Sequence, residues 1–217
     1  MDPEVRILIA DDHKILRDGL ESLLQKEATF DVVGTAGNGR EAMKLTAELQ
    51  PDVLILDIGM PELNGIDTAQ QVTREFPEVR VIGLSVHTDP LYVERMFQNG
   101  AVGYLPKDCA ADELVAAIRK VMSGGTYIGK SLSDTILRRF VSGSPRTRPG
   151  KIDQLSVRER QVLQLLAEGH SAKESAERLN ISAKTIEVHR KNIRQKLGIS
   201  SIAELTKYAV RMGITES

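Results

Sequence analysis

Residues 51–60 read PDVLILDIGM, so four consecutive apolar residues, Val53–Leu56, lead directly into the carboxylate of Asp57. A short segment that is apolar throughout is typical of a strand buried on both faces, as in a parallel sheet covered by helices. Four other short, largely apolar segments lie in the first half of the chain: Val5–Ile9, Asp31–Val33, Val81–Leu84 and Gly103–Leu105. Between them, apolar residues recur at the helical spacing of three and four, for example in residues 15–24 and 114–122. This alternation predicts an α/β fold, a doubly wound five-stranded parallel sheet with helices on both faces.

Charged and hydroxyl side chains stand where these strands end. Asp11 and Asp12 follow the first strand, Asp57 follows the third, Ser85 the fourth and Lys107 the fifth. The carboxyl ends of parallel strands meet at one edge of the sheet, where doubly wound folds bind their ligands. Each residue by itself is more often a helix cap, a turn residue or a solvated charge. Five of them at equivalent strand ends favour a functional site.

The composition of this site suits a cation and a phosphoryl group. Three carboxylates held close together repel one another unless a cation lies between them. Their hard oxygen atoms are typical ligands of Mg²⁺, which leaves coordination positions for a phosphoryl oxygen. Lys107 would neutralise phosphoryl charge, the Ser85 hydroxyl would bind a phosphoryl oxygen, and Asp57 would be the nucleophile.

This half of the chain resembles the receiver domain of two-component response regulators, which has a flavodoxin-like fold. The resemblance covers about residues 4–123. It rests on the following motifs: Ile9-Ala10-Asp11-Asp12-His13, Asp57-Ile58-Gly59-Met60-Pro61, Gly65, Ser85, Tyr104 and Pro106-Lys107.

The resemblance implies a role for each of these positions. Asp57 would accept a phosphoryl group from a sensor histidine kinase. Asp12, Asp57, the backbone carbonyl of Ile58 and Asp11, directly or through a water molecule, would hold Mg²⁺. Lys107 would stabilise the phosphoryl group, and Ser85 and Tyr104 would form a switch pair that turns inward. The peptide bond at Pro106 would be cis.

The second half of the chain differs in charge. Residues 1–130 contain 13 Lys+Arg and 21 Asp+Glu, a net charge of −8, whereas residues 131–217 contain 16 and 9, a net charge of +7. A basic half is compatible with nucleic-acid binding, although solvated surface charge gives the same split. Residues 142–150 read SGSPRTRPG, a composition typical of a linker. We therefore expect a receiver domain over 1–123, a linker over 124–151 that can include a short helix at 132–140, and a DNA-binding domain over 152–217.

Four short helices are predicted in the last part of the chain. Ser156, Ser171 and Ser201 are each followed three residues later by Glu, the pattern of a capping box. Ser182 is a fourth N-cap candidate. These signals predict a compact all-α module of four helices.

The third of these helices has two contrasting faces. Ile186, His189, Ile193 and Leu197 form a stripe at helical spacing that predicts the buried side. The opposite face contains Lys184, Val188, Lys191 and Gln195, and Glu187 and Asn192 flank it. Lysines can contact phosphate or guanine, a valine can contact the thymine methyl, and a glutamate can accept from cytosine N4. With the preceding helix at 172–179 this predicts a helix-turn-helix, although a solvated face on a small bundle gives the same pattern.

This module resembles the LuxR-type DNA-binding domain. The resemblance rests on these motifs: Leu155-Ser156-Val157-Arg158-Glu159-Arg160-Gln161-Val162-Leu163, Lys173-Glu174-Ser175-Ala176 and Lys184-Thr185-Ile186-Glu187-Val188-His189-Arg190. With a receiver domain in front of it, the whole chain resembles a response regulator of the NarL/FixJ family. The resemblance implies a DNA-recognition helix at 183–197, which includes Thr185, and dimerisation through the last helix. The apolar residues expected at that interface are Ile202, Leu205, Tyr208, Ala209 and Met212.

The combined prediction is a phosphorylation-dependent transcription regulator and not an enzyme. Phosphorylation would change domain contacts, favour a homodimer on double-stranded promoter DNA, and so affect the transcription machinery. One alternative is a stand-alone phosphotransfer enzyme, because phosphatases also use an Asp nucleophile with Mg²⁺. However, Gly59 stands two residues after Asp57, where the carboxylate that acts as general acid would be expected. The other is a constitutive DNA-binding protein whose receiver only binds partners, which intact Asp57 and Lys107 argue against.

Composition points to the cytoplasm. No apolar segment approaches the roughly 18 residues that span a bilayer, so we expect no membrane association. A single cysteine, Cys109, excludes an internal disulfide framework and suits a reducing compartment.

Overall fold

The computed structural model describes residues 4–141 and 151–215. The chain divides into two compact units, residues 1–144 and residues 145–217. The predicted linker segment 142–150 lies outside the described residues. Within the part that is described, no helix combines the length and the hydropathy that a membrane span requires.

The first unit is the predicted doubly wound sheet. Its strands are β1 (Val5–Ala10), β2 (Phe30–Ala36), β3 (Val53–Asp57), β4 (Arg80–Ser85), β5 (Gly103–Pro106) and β6 (Tyr127–Ile128). Its helices are α1 (Lys14–Leu24), α2 (Gly39–Leu49), α3 (Gly65–Glu75), α4 (Pro90–Gln98), α5 (Ala111–Met122) and α6 (Lys130–Val141). All strand pairs are parallel, in the order β2-β1-β3-β4-β5-β6.

The sheet has two buried faces, as the apolar strands predict. In β3, Leu54 and Leu56 belong to the core on one side of the sheet, and Val53 and Ile55 belong to the core on the other side. All four side chains are at most 1% exposed. The strand order puts β3 between β1 and β4, so the last residue of β3 lies at the centre of the sheet edge.

Two expectations for this unit were wrong. The described sheet has six strands and not five, because β6 pairs with β5 through Gly103 with Tyr127 and Tyr104 with Ile128. A two-residue strand leaves no apolar run in the sequence that could predict it. The second error concerns Pro106, because no described peptide bond is cis. Pro106 instead continues the extended β5 strand in register with Ser85.

Both β6 and α6 lie in the range predicted as linker. Helix α6 includes residues 132–140, for which the sequence predicts a short helix. Its buried residues Leu132 and Ile136 join the apolar core on the α4 side of the sheet.

The second unit is all-α. After a short 3-10 helix at Lys151–Gln154, the described residues form four α-helices: α7 (Val157–Ala167), α8 (Ala172–Leu179), α9 (Ala183–Leu197) and α10 (Ile202–Arg211). Complete capping boxes begin α7 at Ser156 and α8 at Ser171. Ser182 and Ser201 cap α9 and α10 by accepting a backbone N–H. Each cap satisfies a donor that the first helical turn leaves without a partner.

Candidate functional site

An acidic pocket with one lysine lies at the carboxyl edge of the sheet. Asp57 ends β3, Asp11 directly follows β1, and each is 1% exposed. Lys107, which directly follows β5, places its Nζ 2.8 Å from Asp11 Oδ2 and 2.9 Å from Asp57 Oδ2. The structure therefore brings together three of the residues predicted to form the site. Asp12 is at the more accessible rim, with a side chain 33% exposed.

Burial controls the electrostatics of this pocket. Burial, and then the charge of Asp11, raises the pKa of Asp57 to about 6, although Lys107 acts in the opposite direction. Burial acts to lower the pKa of Lys107, but the Asp57 charge and the hydrogen bonds to both aspartates outweigh it and raise that pKa. A buried excess of negative charge attracts a further cation.

The donor set fits Mg²⁺. Carboxylate oxygens of Asp11, Asp12 and Asp57 and a ring nitrogen of His13 all lie within 4.8 Å of one another. The predicted ligand Ile58 has its carbonyl oxygen 2.9 Å from the Gly65 N–H that donates to it. A carbonyl oxygen has a second lone pair, so this bond leaves it able to bind a cation.

Two neighbours support the acidic pocket. A Cβ at Gly65 would lie 2.0 Å from the backbone oxygen of Asp57, so only glycine permits this close approach. His13 donates its backbone N–H to Asp11 Oδ1 at 2.8 Å, and its Nδ1 lies 2.6 Å from Asp12 Oδ1. The sequence motif contains His13, but the sequence alone assigns it no role.

The predicted switch residues Ser85 and Tyr104 are buried, 1% and 0% exposed. The Tyr104 hydroxyl donates to the backbone oxygen of His87 at 2.7 Å, and the His87 N–H donates to Ser85 Oγ at 3.0 Å. Burial, the main cause, raises the pKa of Tyr104. Tyr104 is therefore a neutral donor with its ring turned inward. His87 links the two switch residues, and no pattern in the sequence singles it out for this role.

The second unit presents a largely polar face on α9. The exposed residues of that face are Lys184, Glu187, Val188, Lys191 and Gln195, and the half-buried ones are Thr185 and Asn192. Ile186, Ile193 and Leu197 are buried on the opposite side of the helix. Glu187 forms an ion pair of 2.7 Å with Arg190. Since α8 packs against α9, the two helices have the arrangement of a helix-turn-helix.

The residues predicted for dimerisation divide into two groups. Leu205, Tyr208 and Ala209 are buried in the core of their own unit, because α7 packs against this side of α10. Met212 packs against the same core. Ile202 is 45% exposed and is the member of the set that is free to contact another molecule.

A buried aspartate–lysine pocket on a doubly wound sheet, followed by a helix-turn-helix unit, defines a two-domain regulator. Comparison with known families agrees. Residues 7–119 match the response regulator receiver domain, and residues 153–209 match the bacterial regulatory proteins of the luxR family. The chain belongs to the response regulators with a LuxR-type DNA-binding domain. This family consists of phosphorylation-dependent transcription regulators, which are not enzymes in the usual sense.

Individual relatives cover almost the whole chain. The transcriptional regulatory protein MctR of Rhizobium johnstonii is 39% identical over 213 residues, which is 98% of this chain and 96% of MctR. RcsB from Salmonella enterica serovar Typhimurium, solved bound to promoter rprA with the phosphomimetic BeF3-, is 28% identical with a TM-score of 0.61, covering 94% of this chain and 98% of that one. A structure of two RcsB dimers bound to two parallel DNAs is 28% identical with a TM-score of 0.60, covering 94% and 97%.

Proposed function

We propose that Asp57 accepts a phosphoryl group from a phosphohistidine of a sensor histidine kinase. The observation that carries this proposal is the contact of 2.9 Å between the buried Asp57 carboxylate and Lys107 Nζ. An Asp57 oxygen would attack phosphorus, forming the acyl phosphate P–O bond while the P–N bond to the kinase histidine breaks and the imidazole keeps the electron pair. Lys107 then neutralises part of the added charge, which phosphorylation brings close to −2.

Mg²⁺ is the cation we propose for the pocket. Asp11, Asp12, Asp57 and the Ile58 carbonyl would hold it, with Asp11 bound directly or through water. When bound, Mg²⁺ supplies positive charge to the oxygens of the transferring phosphoryl group. The protein residues keep their own tasks: Lys107 donates to a phosphoryl oxygen, and the Ser85 hydroxyl donates to another.

We further propose that α9 enters the major groove of promoter DNA. Its exposed lysines, Lys184 and Lys191, would contact phosphates or guanine, and Val188 would contact a thymine methyl. Thr185, Glu187, Asn192 and Gln195 would provide the hydrogen bonds that position the helix or read bases. An exposed apolar residue inside a charged face supports this assignment, because Val188 is 53% exposed.

Phosphorylation would favour a homodimer, with Ile202 at the exposed side of α10 contributing to the contact. Two recognition helices on one DNA site raise the affinity through effective concentration, without new contacts to the bases. The RcsB structure that contains dimers bound to DNA supports the proposal of a DNA-bound homodimer for this chain. We propose that the protein acts in the cytoplasm and changes the access of the transcription machinery to its promoters.

The test compares the full chain with Asp57→Ala, in Mg²⁺ with and without beryllofluoride, a phosphoryl mimic. The probes are DNA fragments selected from a genomic pool by the unmutated protein. The expected result is a larger dimer fraction and tighter DNA binding with beryllofluoride, both absent from Asp57→Ala. Asp18→Ala, at an exposed aspartate of α1, is the matched control and should respond like the unmutated protein. Equal affinities with and without beryllofluoride would contradict the proposed function.

A further inference from the structure

A closed set of contacts joins the switch residues to helix α6. Tyr104 forms one of these contacts through its side chain and another through its backbone. Its hydroxyl donates to the backbone oxygen of His87 at 2.7 Å, and its backbone oxygen accepts the Gly129 N–H at 2.8 Å. Gly129 directly precedes α6, which begins at Lys130. The strand that contains Tyr104 is thus hydrogen-bonded to the residue directly before α6.

A second group of contacts connects His87 to α6 through α4. The His87 ring stacks on the ring of Tyr92, with centroids 4.2 Å apart and an interplanar angle of 13°. Tyr92 belongs to α4 and is 7% exposed, and α6 packs against α4. Leu132 and Ile136 of α6 share one apolar core with Tyr92 and Tyr104. A displacement of His87 therefore changes the surface on which α6 packs.

Phosphorylation acts on His87 through Ser85. The Ser85 hydroxyl now accepts the His87 N–H at 3.0 Å. If the Ser85 side chain rotates so that its oxygen moves towards a phosphoryl group on Asp57, this oxygen moves away from the His87 N–H, and a backbone donor that loses its acceptor favours movement of the loop. Densely packed cores respond to such shifts by changing between discrete arrangements.

The start of α6 is also held from α5. Glu113 Oε1 accepts the Lys130 backbone N–H at 2.7 Å. This contact holds the first turn of the helix, so the response to a movement of α4 falls on the part of α6 that follows this turn and contains Ile136. The chain continues from α6 through residues 142–150 to the DNA-binding unit.

We propose that His87 is a positioning residue that transmits the phosphorylation state of Asp57 to α6, and that α6 is the output element of the receiver domain. This inference rests on the proposed phosphorylation of Asp57. In this proposal the change reaches α6 through the stacking of His87 on Tyr92 as well as through the inward position of Tyr104.

The test uses the full chain with Mg²⁺ and measures hydrogen–deuterium exchange of the α6 amides with and without beryllofluoride. Bound beryllofluoride is followed separately by 19F NMR. We expect beryllofluoride to change α6 exchange by about fivefold or more in the unmutated protein, the scale of an ordinary allosteric coupling. His87→Ala should bind beryllofluoride and lose this change, whereas His87→Phe, which keeps a ring to stack, should restore it. Val86→Ala, at the exposed neighbouring position, should behave like the unmutated protein.

The outcomes separate the two proposals. Absence of the 19F signal of bound beryllofluoride from the unmutated protein would overturn the proposed function, and the coupling with it. Bound beryllofluoride without a change in α6 exchange would overturn the coupling alone. A full response in His87→Ala would show that the signal reaches α6 without the stacked ring, which would also overturn it.

Discussion

Lys107 Nζ lies 2.9 Å from Asp57 Oδ2. The Lys107 side chain is 11% exposed and the Asp57 side chain 1%. The same ammonium lies 2.8 Å from Asp11 Oδ2, so one positive charge serves two buried carboxylates. The pocket therefore holds more negative than positive charge before any ligand binds. This imbalance favours cation binding, and it also lowers the stability of the receiver fold when no cation is present.

Asp57→Asn should stabilise the metal-free receiver domain at neutral pH. The pKa of Asp57 is raised from 3.8 to about 6, so the folded chain holds this proton to a higher pH than the unfolded chain does. Stability therefore falls as pH rises from about 4 to about 6. Asparagine removes this loss and leaves Lys107 paired with Asp11, so we expect a gain on the order of 1–3 kcal/mol at pH 7 that disappears towards pH 4.

Urea unfolding with EDTA, followed by NMR signals of the receiver sheet, measures this difference at several pH values. Asp18→Asn, at an exposed aspartate, is the control and should leave the stability unchanged at each pH. A gain for Asp57→Asn that stays the same from pH 4 to pH 7 would show that ionisation of Asp57 is not its cause.

Lys191→Ala should weaken DNA binding to all sequences by a similar factor. Lys191 is exposed on the α9 face proposed to enter the major groove. If its ammonium contacts a phosphate, its removal should reduce the slope of log K against log salt concentration by about one unit. Fluorescence anisotropy at several salt concentrations measures the slope. Lys207→Ala, at an exposed lysine of α10, should leave it unchanged, and an unchanged slope with altered sequence preference in Lys191→Ala would identify a base contact instead.

Leu205→Ala should lower the stability of the fold, whereas Ile202→Ala should lower only the tendency to dimerise. Leu205 is 3% exposed in the core between α7 and α10, so its truncation should cost about 2–5 kcal/mol of stability. Ile202 is 45% exposed, and its truncation should change stability by no more than about 0.5 kcal/mol. It should, however, lower the dimer fraction that beryllofluoride induces. Urea titration and sedimentation of each full-length variant distinguish these effects, and a normal dimer fraction for Ile202→Ala would place the contact elsewhere.

The burial of the α10 residues could not be predicted from sequence. An apolar stripe such as Leu205, Tyr208 and Ala209 looks the same in sequence whether a neighbouring helix or a second molecule covers it. The burial of this stripe against α7 depends on tertiary packing. Sequence could predict the acidic site, in contrast, because residues that directly follow parallel strands, such as Asp11 and Lys107, necessarily meet at one sheet edge.

Strand β6 and the contacts of His87 also could not be predicted from the sequence. Strand β6 has two residues, Tyr127 and Ile128, and forms because the edge of β5 offers backbone partners. The role of His87 depends on a backbone oxygen and on a ring stacked against Tyr92. Neither feature leaves a pattern of residue types, so only the three-dimensional structure brings them into the switch.

Glu159→Gln should destabilise the DNA-binding unit at neutral pH but not in acid. Burial acts to raise the pKa of Glu159, but Lys196, whose Nζ lies 2.7 Å away, and the Ser156 backbone N–H outweigh it and lower that pKa. A lowered pKa in the folded state contributes stability above the unfolded value of 4.5, and this is lost as pH falls through the folded value. Glutamine keeps the capping box of α7 and removes only the charge, so we expect a loss of about 1 kcal/mol at pH 7.

Hydrogen exchange of the α7 amides at pH 7 and at pH 4 measures this loss of stability. Glu177→Gln, at an exposed glutamate of α8, is the control. A Lys196→Met background should abolish most of the effect, and an equal loss in that background would assign it to the cap and not to the ion pair.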